Sequence, residues 1–260
     1  EFRRVLFRSS SDLLVSLEIR GRIMPASNAT FLAELDGREV VYKPVAGERP
    51  LWDFPDGTLA DREIAAYEVS VATGWDLVPR TWWGEGPHGP GMVQEWQEVD
   101  PDDEAVTLVR SGASPQGWLE VVEGLDDRDR PVVLVHEDSL ALRRLAVYDV
   151  LVNNADRKGG HVLAMPGGHR YGVDHGVAFH HEAKLRTVLW GWAGLPLTAE
   201  ETEVVTAVLA AVRGELGERL TTHLAEHEIR ALERRTERLL AAGVLPGPSG
   251  SWPAIPWPPF

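Results

Sequence analysis

Residues Tyr148 to Leu163 read YDVLVNNADRKGGHVL. An amphipathic helix from Ser139 to Val152 runs into a polar loop, Asn153 to His161, and an apolar strand follows. A carboxylate just past a helix end, in a loop rich in donors, is suited to orienting a hydroxyl and accepting its proton. Asp156 is that carboxylate, and Arg157 or Lys158 would balance anionic charge beside it. Gly159 and Gly160 allow the backbone to come close to a ligand.

Downstream, Tyr171 to Phe179 reads YGVDHGVAF. Asp174 lies between strand-like stretches, His169 to Val173 and Gly176 to Phe179, and a lone carboxylate there suits a hard divalent cation shared with phosphate oxygens. Upstream, VVYKP (Val40 to Pro44) sets Lys43 at a strand end, where an ammonium can neutralise phosphate. The chain holds only three lysines, Lys43, Lys158 and Lys184, among 26 basic residues, so each stands out against an arginine background. ADREIAAYE (Ala60 to Glu68) follows on a helix spanning Leu59 to Thr73, ended by Gly74. Its Glu63 can pair with Lys43, while Glu68 falls on another face.

The rest of the chain fits around these units. Phe31 to Leu35 and Glu39 to Tyr42 read as strands joined by Asp36-Gly37, a hairpin signal. Leu13 to Ile19 reads as a short helix or an edge strand. Gly84 to Gly91 reads as a turn and Met92 to Trp96 as a strand, giving a β-β-α-β-β unit. Asp100 to Glu104 and Glu123 to Arg130 read as solvated charged loops. Thr198 to Leu240 reads as two helices broken near Gly214 or Gly217, and Pro246 to Phe260 as an extended strap. The expected division is an artefact or disordered arm at 1–11, an N-terminal lobe at 12–96, a C-terminal lobe at 97–245 and a Pro/Trp-rich tail at 246–260. Within the arm, EFRRVLFRS (Glu1 to Ser9) reads as an assembly or cloning artefact, the alternative being a basic arm.

The 260 residues are 43% hydrophobic with a formal net charge of −14. Length and apolar content suit two small lobes, or one large domain, with a sizeable core. The acidic balance argues against nucleic acid as a general partner. No run of apolar residues is long enough for a membrane span. Without cysteine there are no disulfides or thiolate metal sites, and with no secretory segment the expected location is cytoplasmic.

Lysine, helical glutamate, Asp loop and Asp-x-Gly, in that order, resemble bacterial proteins related to phosphatidylinositol 3- and 4-kinases, and HipA-type kinases. The resemblance covers roughly Ile23 to Phe179. It implies an α+β, bilobal, atypical protein-kinase-like fold, with a small mixed N-terminal lobe and a mainly helical C-terminal lobe. It implies ATP and Mg²⁺ or Mn²⁺ as cofactors and transfer of phosphoryl to an unknown protein or small-molecule acceptor. By resemblance Lys43 is the nucleotide lysine, Glu63 its partner, Asp156 the catalytic aspartate and Asp174 the metal-binding one. Ser27, Asn28 and Thr30 fall where the phosphate-covering loop belongs, and Gln94, Glu95 and Trp96 lead into the adenine-binding hinge. Two positions depart from the pattern. Lys158 stands where a histidine is usual, and His161 stands where a metal-binding asparagine is usual. Imidazole is a poor ligand for Mg²⁺ and an acceptable one for Mn²⁺. Asn154 is the alternative amide.

Two other readings compete with an active phosphotransferase. One is a nucleotide-binding pseudokinase, on the strength of Lys158 and His161. The other is a metal-dependent hydrolase built on His161, His169, Asp174, His175, His180 and His181, whose spacings match no strong zinc pattern.

Overall fold

In the computed structural model, residues 17–24, 28–49, 51–250 and 252–260 are described. The N-terminal arm, most of Leu13 to Ile19, and Ser27 lie outside the described residues. Five strands, β1 (Glu18–Arg22), β2 (Phe31–Leu35), β3 (Arg38–Pro44), β4 (Thr81–Gly86) and β5 (Gly89–Glu95), form one antiparallel sheet in the order β1-β2-β3-β5-β4. Asp36 and Gly37 both take positive φ, 53° and 73°, so the β2–β3 turn has the twist that suits a two-residue hairpin. Leu35 then pairs with Arg38 and Phe31 with Tyr42, which carries Lys43 to the far end of β3. The Gly84 to Gly91 turn is shorter than expected. Both its flanks belong to β4 and β5, which pair down to Gly86 and Gly89.

Helix α1 (Leu59–Thr73) crosses between β3 and β4. Its start is over-determined: Thr58 and Asp61 form a capping box, and the Glu48 carboxylate accepts the Leu59 and Ala60 N–H groups at 2.9 and 2.8 Å. Gly74 closes the helix in the left-handed region, φ 66°. The first turn is thereby fixed, and Glu63 with it.

A second sheet follows. Strands β6 (Val106–Arg110), β7 (Trp118–Leu125) and β8 (Pro131–Glu137) pair antiparallel in the order β6-β8-β7. The stretch Glu123 to Arg130 is therefore not all loop. Glu123 to Leu125 belong to β7, and only Asp126 to Arg130 make the turn, where Asp126 accepts the Arg128 and Arg130 N–H groups.

Helix α2 (Leu140–Val152) is capped by Ser139 and ends at Asn153, which takes φ 54°. Strands β9 (Val162–Ala164) and β10 (Arg170–Gly172) form a short hairpin after the Asp156 loop. Gly176 to Phe179 is a turn, not a strand, with Phe179 at φ 67° and its N–H donated to Val152 O at 2.7 Å. Three helices end the lobe, not two: α3 (Ala199–Val212), α4 (Glu215–Leu220) and α5 (Glu226–Ala242). The first break falls at Gly214. The second is made by Thr221 and Thr222, whose hydroxyls donate to the Glu218 and Arg219 carbonyls. The strap then crosses the lobe: Thr187 N–H and Trp190 Nε1 both donate to Ala254 O, and Gly159 N–H donates to Pro259 O at 2.8 Å.

The protein is thus α+β, a sheet-rich half followed by a mainly helical one, as expected for a kinase-like fold. The larger core lies in the helical half around Leu145, Leu151, Phe179, Trp192 and Leu232, and a smaller one lies under the first sheet around Tyr42 and Val93. No helix among the described residues is long and apolar enough to cross a membrane.

Candidate functional site

The end of β3, the second turn of α1 and the loop after β10 meet at one point. Lys43 Nζ donates to Glu63 Oε1 at 2.6 Å and to Asp174 Oδ1 at 2.8 Å. Glu63 is 1% exposed, and its second oxygen accepts the His175 N–H at 2.8 Å. One carboxylate therefore holds both the ammonium and the backbone beside Asp174. Burial works to lower the Lys43 pKa, and Asp174 with Glu63 more than reverses that, so the ammonium stays charged. Lys43 holds the Asp174 carboxyl far below the usual carboxylate range, against the cost of burial. Burial raises Glu63, opposed by Lys43 and the His175 N–H. Glu68 takes no part and pairs with Arg219 instead.

Beneath this point lies a buried scaffold. Arg157 and Asp149 are both fully buried and face each other in a two-pronged contact, 2.8 Å on each prong. Arg157 Nη1 donates to the carbonyls of His161 and Val173, and Nη2 lies 2.7 Å from His175 Nε2. Arg157 is thus unavailable to a phosphate, contrary to one of the two options for balancing charge beside Asp156. Its five donors are all used: two on Asp149 of α2, one on the His161 carbonyl, and two across to Val173 and His175 of the Asp174 loop. Asn154 is likewise committed: its Nδ2 donates to Asp149 Oδ1 and its Oδ1 accepts the Asp156 N–H, with no exposed surface left for a metal.

Asp156 stays partly open to solvent. Arg186 Nη2 lies 3.2 Å from its Oδ1 and Lys158 Nζ 3.9 Å from its Oδ2. Burial raises the Asp156 pKa, with Lys158, His161 and Arg186 opposing, which moves it toward the range of a useful base. His161 Nδ1 is 2.9 Å from the Asp156 carbonyl, so Nδ1 carries the proton and Nε2 presents a lone pair. That Nε2 lies 3.3 Å from Asp174 Oδ2. Burial lowers the His161 pKa and favours the neutral ring.

A lone pair and a carboxylate oxygen facing each other form a donor set that suits a divalent cation of borderline softness. Among the described residues no group of three or more His, Asp or Glu side chains could hold an ion alone, so phosphate oxygens would have to complete the shell. The other histidines lie elsewhere. His175 is bound to Arg157, His180 stacks on His181, and His169 packs on Tyr171. That dispersal removes the basis for a histidine-built hydrolase centre.

The chain is 51% identical over 257 residues to Protein Rv2133c of Mycobacterium tuberculosis (strain ATCC 25618 / H37Rv), a match covering 94% of this chain and 92% of that protein. It belongs to the family of that protein. No family profile matches the chain. Among solved structures, the Helicobacter pylori proinflammatory kinase CtkA is similar with a TM-score of 0.42 and 9% identity, over 89% of this chain and 93% of that one.

The residues expected to form the phosphate-covering loop and the hinge have their own geometry. The Asn28 side-chain oxygen accepts the Arg49 N–H at 2.9 Å, Thr30 Oγ1 donates to Asn28 O at 3.4 Å, and the Ala29 N–H is donated to Gly47 O. Glu95 and Trp96 spend their N–H groups on Arg80 O and Glu39 O, and the Gln94 amide donates to Thr81 Oγ1. Backbone donors for a ligand at this edge must therefore come from beyond Trp96. Arg186 was not anticipated. No motif marks it, because it reaches Asp156 from thirty residues downstream.

Proposed function

We propose that the chain is an ATP-dependent phosphotransferase of the atypical kinase-like type, akin to the phosphatidylinositol 3-/4-kinase-related and HipA-type kinases. The observation that carries this reading is Lys43 held between Glu63 and Asp174. A fixed ammonium beside an ionised carboxylate, next to a loop with a second carboxylate of raised pKa, is the arrangement phosphoryl transfer requires. Lys43 directs its charge to nucleotide phosphates, and Glu63 fixes its position. Asp174 and His161 would hold Mg²⁺ or Mn²⁺ together with phosphate oxygens, and the ion would neutralise charge on the transferring group. Asp156 orients the acceptor hydroxyl and takes its proton. Lys158 offsets phosphate charge beside it, and the segment after Trp96 faces adenine.

A second reading rests on the direct Lys43–Asp174 contact of 2.8 Å. With its two key groups paired to each other, the site could bind nucleotide without turnover, as a pseudokinase does. One experiment separates the readings. ATP turnover is measured with Mg²⁺ or Mn²⁺, with mass spectrometry of the protein and of lysate acceptors, for the wild type, Asp156→Asn and Asp174→Asn. A phosphotransferase loses rate but keeps nucleotide affinity in Asp156→Asn, and loses metal-dependent affinity in Asp174→Asn. Binding with no transfer in the wild type leaves the pseudokinase.

A further inference from the structure

A cavity of about 460 Å³ opens beside the Asp156 loop. Its floor includes Gly159 and Gly160, three and four residues past Asp156, so at most about 13 Å of chain separates floor and carboxylate. Val162 and Ala164 of β9 line one side, and Val106 and Leu108 of β6 another. None of its lining comes from the sheet that carries Lys43. Its volume is in the range of small-molecule sites.

Three features define what it would take. Its rim is apolar and open: Val99, Leu108 and Phe260 are each 46% exposed there. Large apolar side chains converging on one cavity at the surface mark a binding site more often than chance exposure does. The other side of the rim is acidic. Asp100, Asp103 and Glu104 line it there, and no basic residue does. Asp103 is already paired with Arg170 at 2.8 Å, whereas Glu104 has no partner among the described residues. The third feature is Phe260, which walls the cavity because Gly159 has no side chain. A Cβ at 159 would collide with the Phe260 ring, and the Gly159 N–H fixes the strap through Pro259 O.

We infer that this cavity is the acceptor site, and that the acceptor is a small hydroxylated amine: an ammonium for Asp100 and Glu104, an apolar body for Val99, Leu108 and Phe260, and a hydroxyl directed toward Asp156. The inference rests on the phosphotransferase reading. In the step it supports, the acceptor oxygen forms a bond to the γ-phosphorus, the bond to the β–γ bridging oxygen breaks, ADP leaves, and the hydroxyl proton passes to the Asp156 carboxylate.

Three probes of equal length and different charge test it: aminohexanol, hexanediol and hydroxyhexanoate, titrated by calorimetry into the full chain alongside Mn²⁺-ATP. Aminohexanol should bind about tenfold more tightly than either of the others, and with ATP present should acquire phosphate on oxygen. Asp100→Asn with Glu104→Gln should erase that preference. A Cβ at 160 meets nothing within 4 Å, so Gly160→Leu enters open space at the cavity lining and should weaken all three probes. Unfolding midpoints confirm that the variants fold. If ATP binds while the three probes bind alike, the acceptor inference is overturned and the nucleotide reading stands. If the amine is preferred but ATP does not bind, the phosphotransferase reading falls and the acceptor role with it.

Discussion

Arg157 meets Asp149 through two contacts of 2.8 Å, Nε to Oδ2 and Nη2 to Oδ1, with both side chains wholly buried. The same guanidinium holds the carbonyls of His161 and Val173, so one ion pair keeps the two loops of the site in register. Removing one partner strands the other charge in the core, at about 3–5 kcal/mol. Asp149→Ala should therefore lower stability by that order. Arg157→Lys should do nearly as much harm, since an ammonium cannot reproduce the planar fork. Asp149→Leu combined with Arg157→Met should recover part of the loss. Denaturant midpoints measure all four proteins, and a cost below about 1 kcal/mol for Asp149→Ala would refute the role of the pair.

Lys43→Ala should weaken Mg²⁺- or Mn²⁺-ATP binding by about 1.5–3 kcal/mol, the worth of one charge-assisted contact to phosphate. The same change removes the ammonium from Glu63, which is 1% exposed, so the free protein should also unfold more easily. Calorimetry with ATP and thermal unfolding of the free protein read the two effects separately. Unchanged nucleotide affinity in a folded variant would take Lys43 out of the phosphate site.

Some of this was legible in the sequence and some was not, for physical reasons. The hairpin at Asp36-Gly37, helix α1 and helix α2 announce themselves through short-range rules: a positive-φ turn pair, a cap and a 3.6-residue period. The rarity of lysine was a partial guide. Lys43 and Lys158 lie at the site, but Lys184 is a buried structural residue that pairs with Asp53 at 2.8 Å and lies over the Trp252 ring. In the second sheet β7 is the obscured strand, because a register shift between Glu120 and Val122 breaks the alternation a strand is recognised by, whereas β6 and β8 pair without one. Arg157 and Arg186 look alike in the sequence, two arginines near acidic residues. Only tertiary packing separates the buried clamp from the partly exposed partner of Asp156.

A third prediction concerns acid stability. His136 is fully buried against Trp192, donates Nδ1–H to Glu137 O at 2.8 Å and accepts the Gly191 N–H at Nε2, 3.0 Å. Burial lowers its pKa below the ordinary value, and protonating Nε2 would set two donors against each other. The unfolded chain, titrating near ~6.5, then binds more protons than the folded one. His136 therefore leaves stability intact above ~6.5 and erodes it as pH falls from there toward the folded pKa. His175 and His180 shift in the same direction and add to the slope. His136→Gln should flatten part of that acid limb. Unfolding midpoints between pH 5 and 8 for both proteins check it, and parallel curves would remove His136 as a contributor.

The last prediction turns on His161. Its Nδ1–H is taken up by the Asp156 carbonyl at 2.9 Å, so only Nε2 is left, and that atom lies 3.3 Å from Asp174 Oδ2. An uncharged nitrogen lone pair facing a carboxylate gains nothing from that contact unless a cation lies between them. Nitrogen donors favour Mn²⁺ over the harder Mg²⁺, which prefers oxygen. Mn²⁺-ATP should therefore bind more tightly than Mg²⁺-ATP. His161→Asn, which restores an oxygen donor, should narrow that gap by about tenfold, mainly by improving Mg²⁺. Calorimetry gives the two affinities. Electron spin-echo spectra of bound Mn²⁺ report nitrogen coupling independently of any turnover. A nitrogen signal in the wild type that vanishes in His161→Asn puts the imidazole on the metal. No nitrogen signal, with the same metal preference in both proteins, would leave His161 as a loop residue that does no more than hold the Asp156 carbonyl.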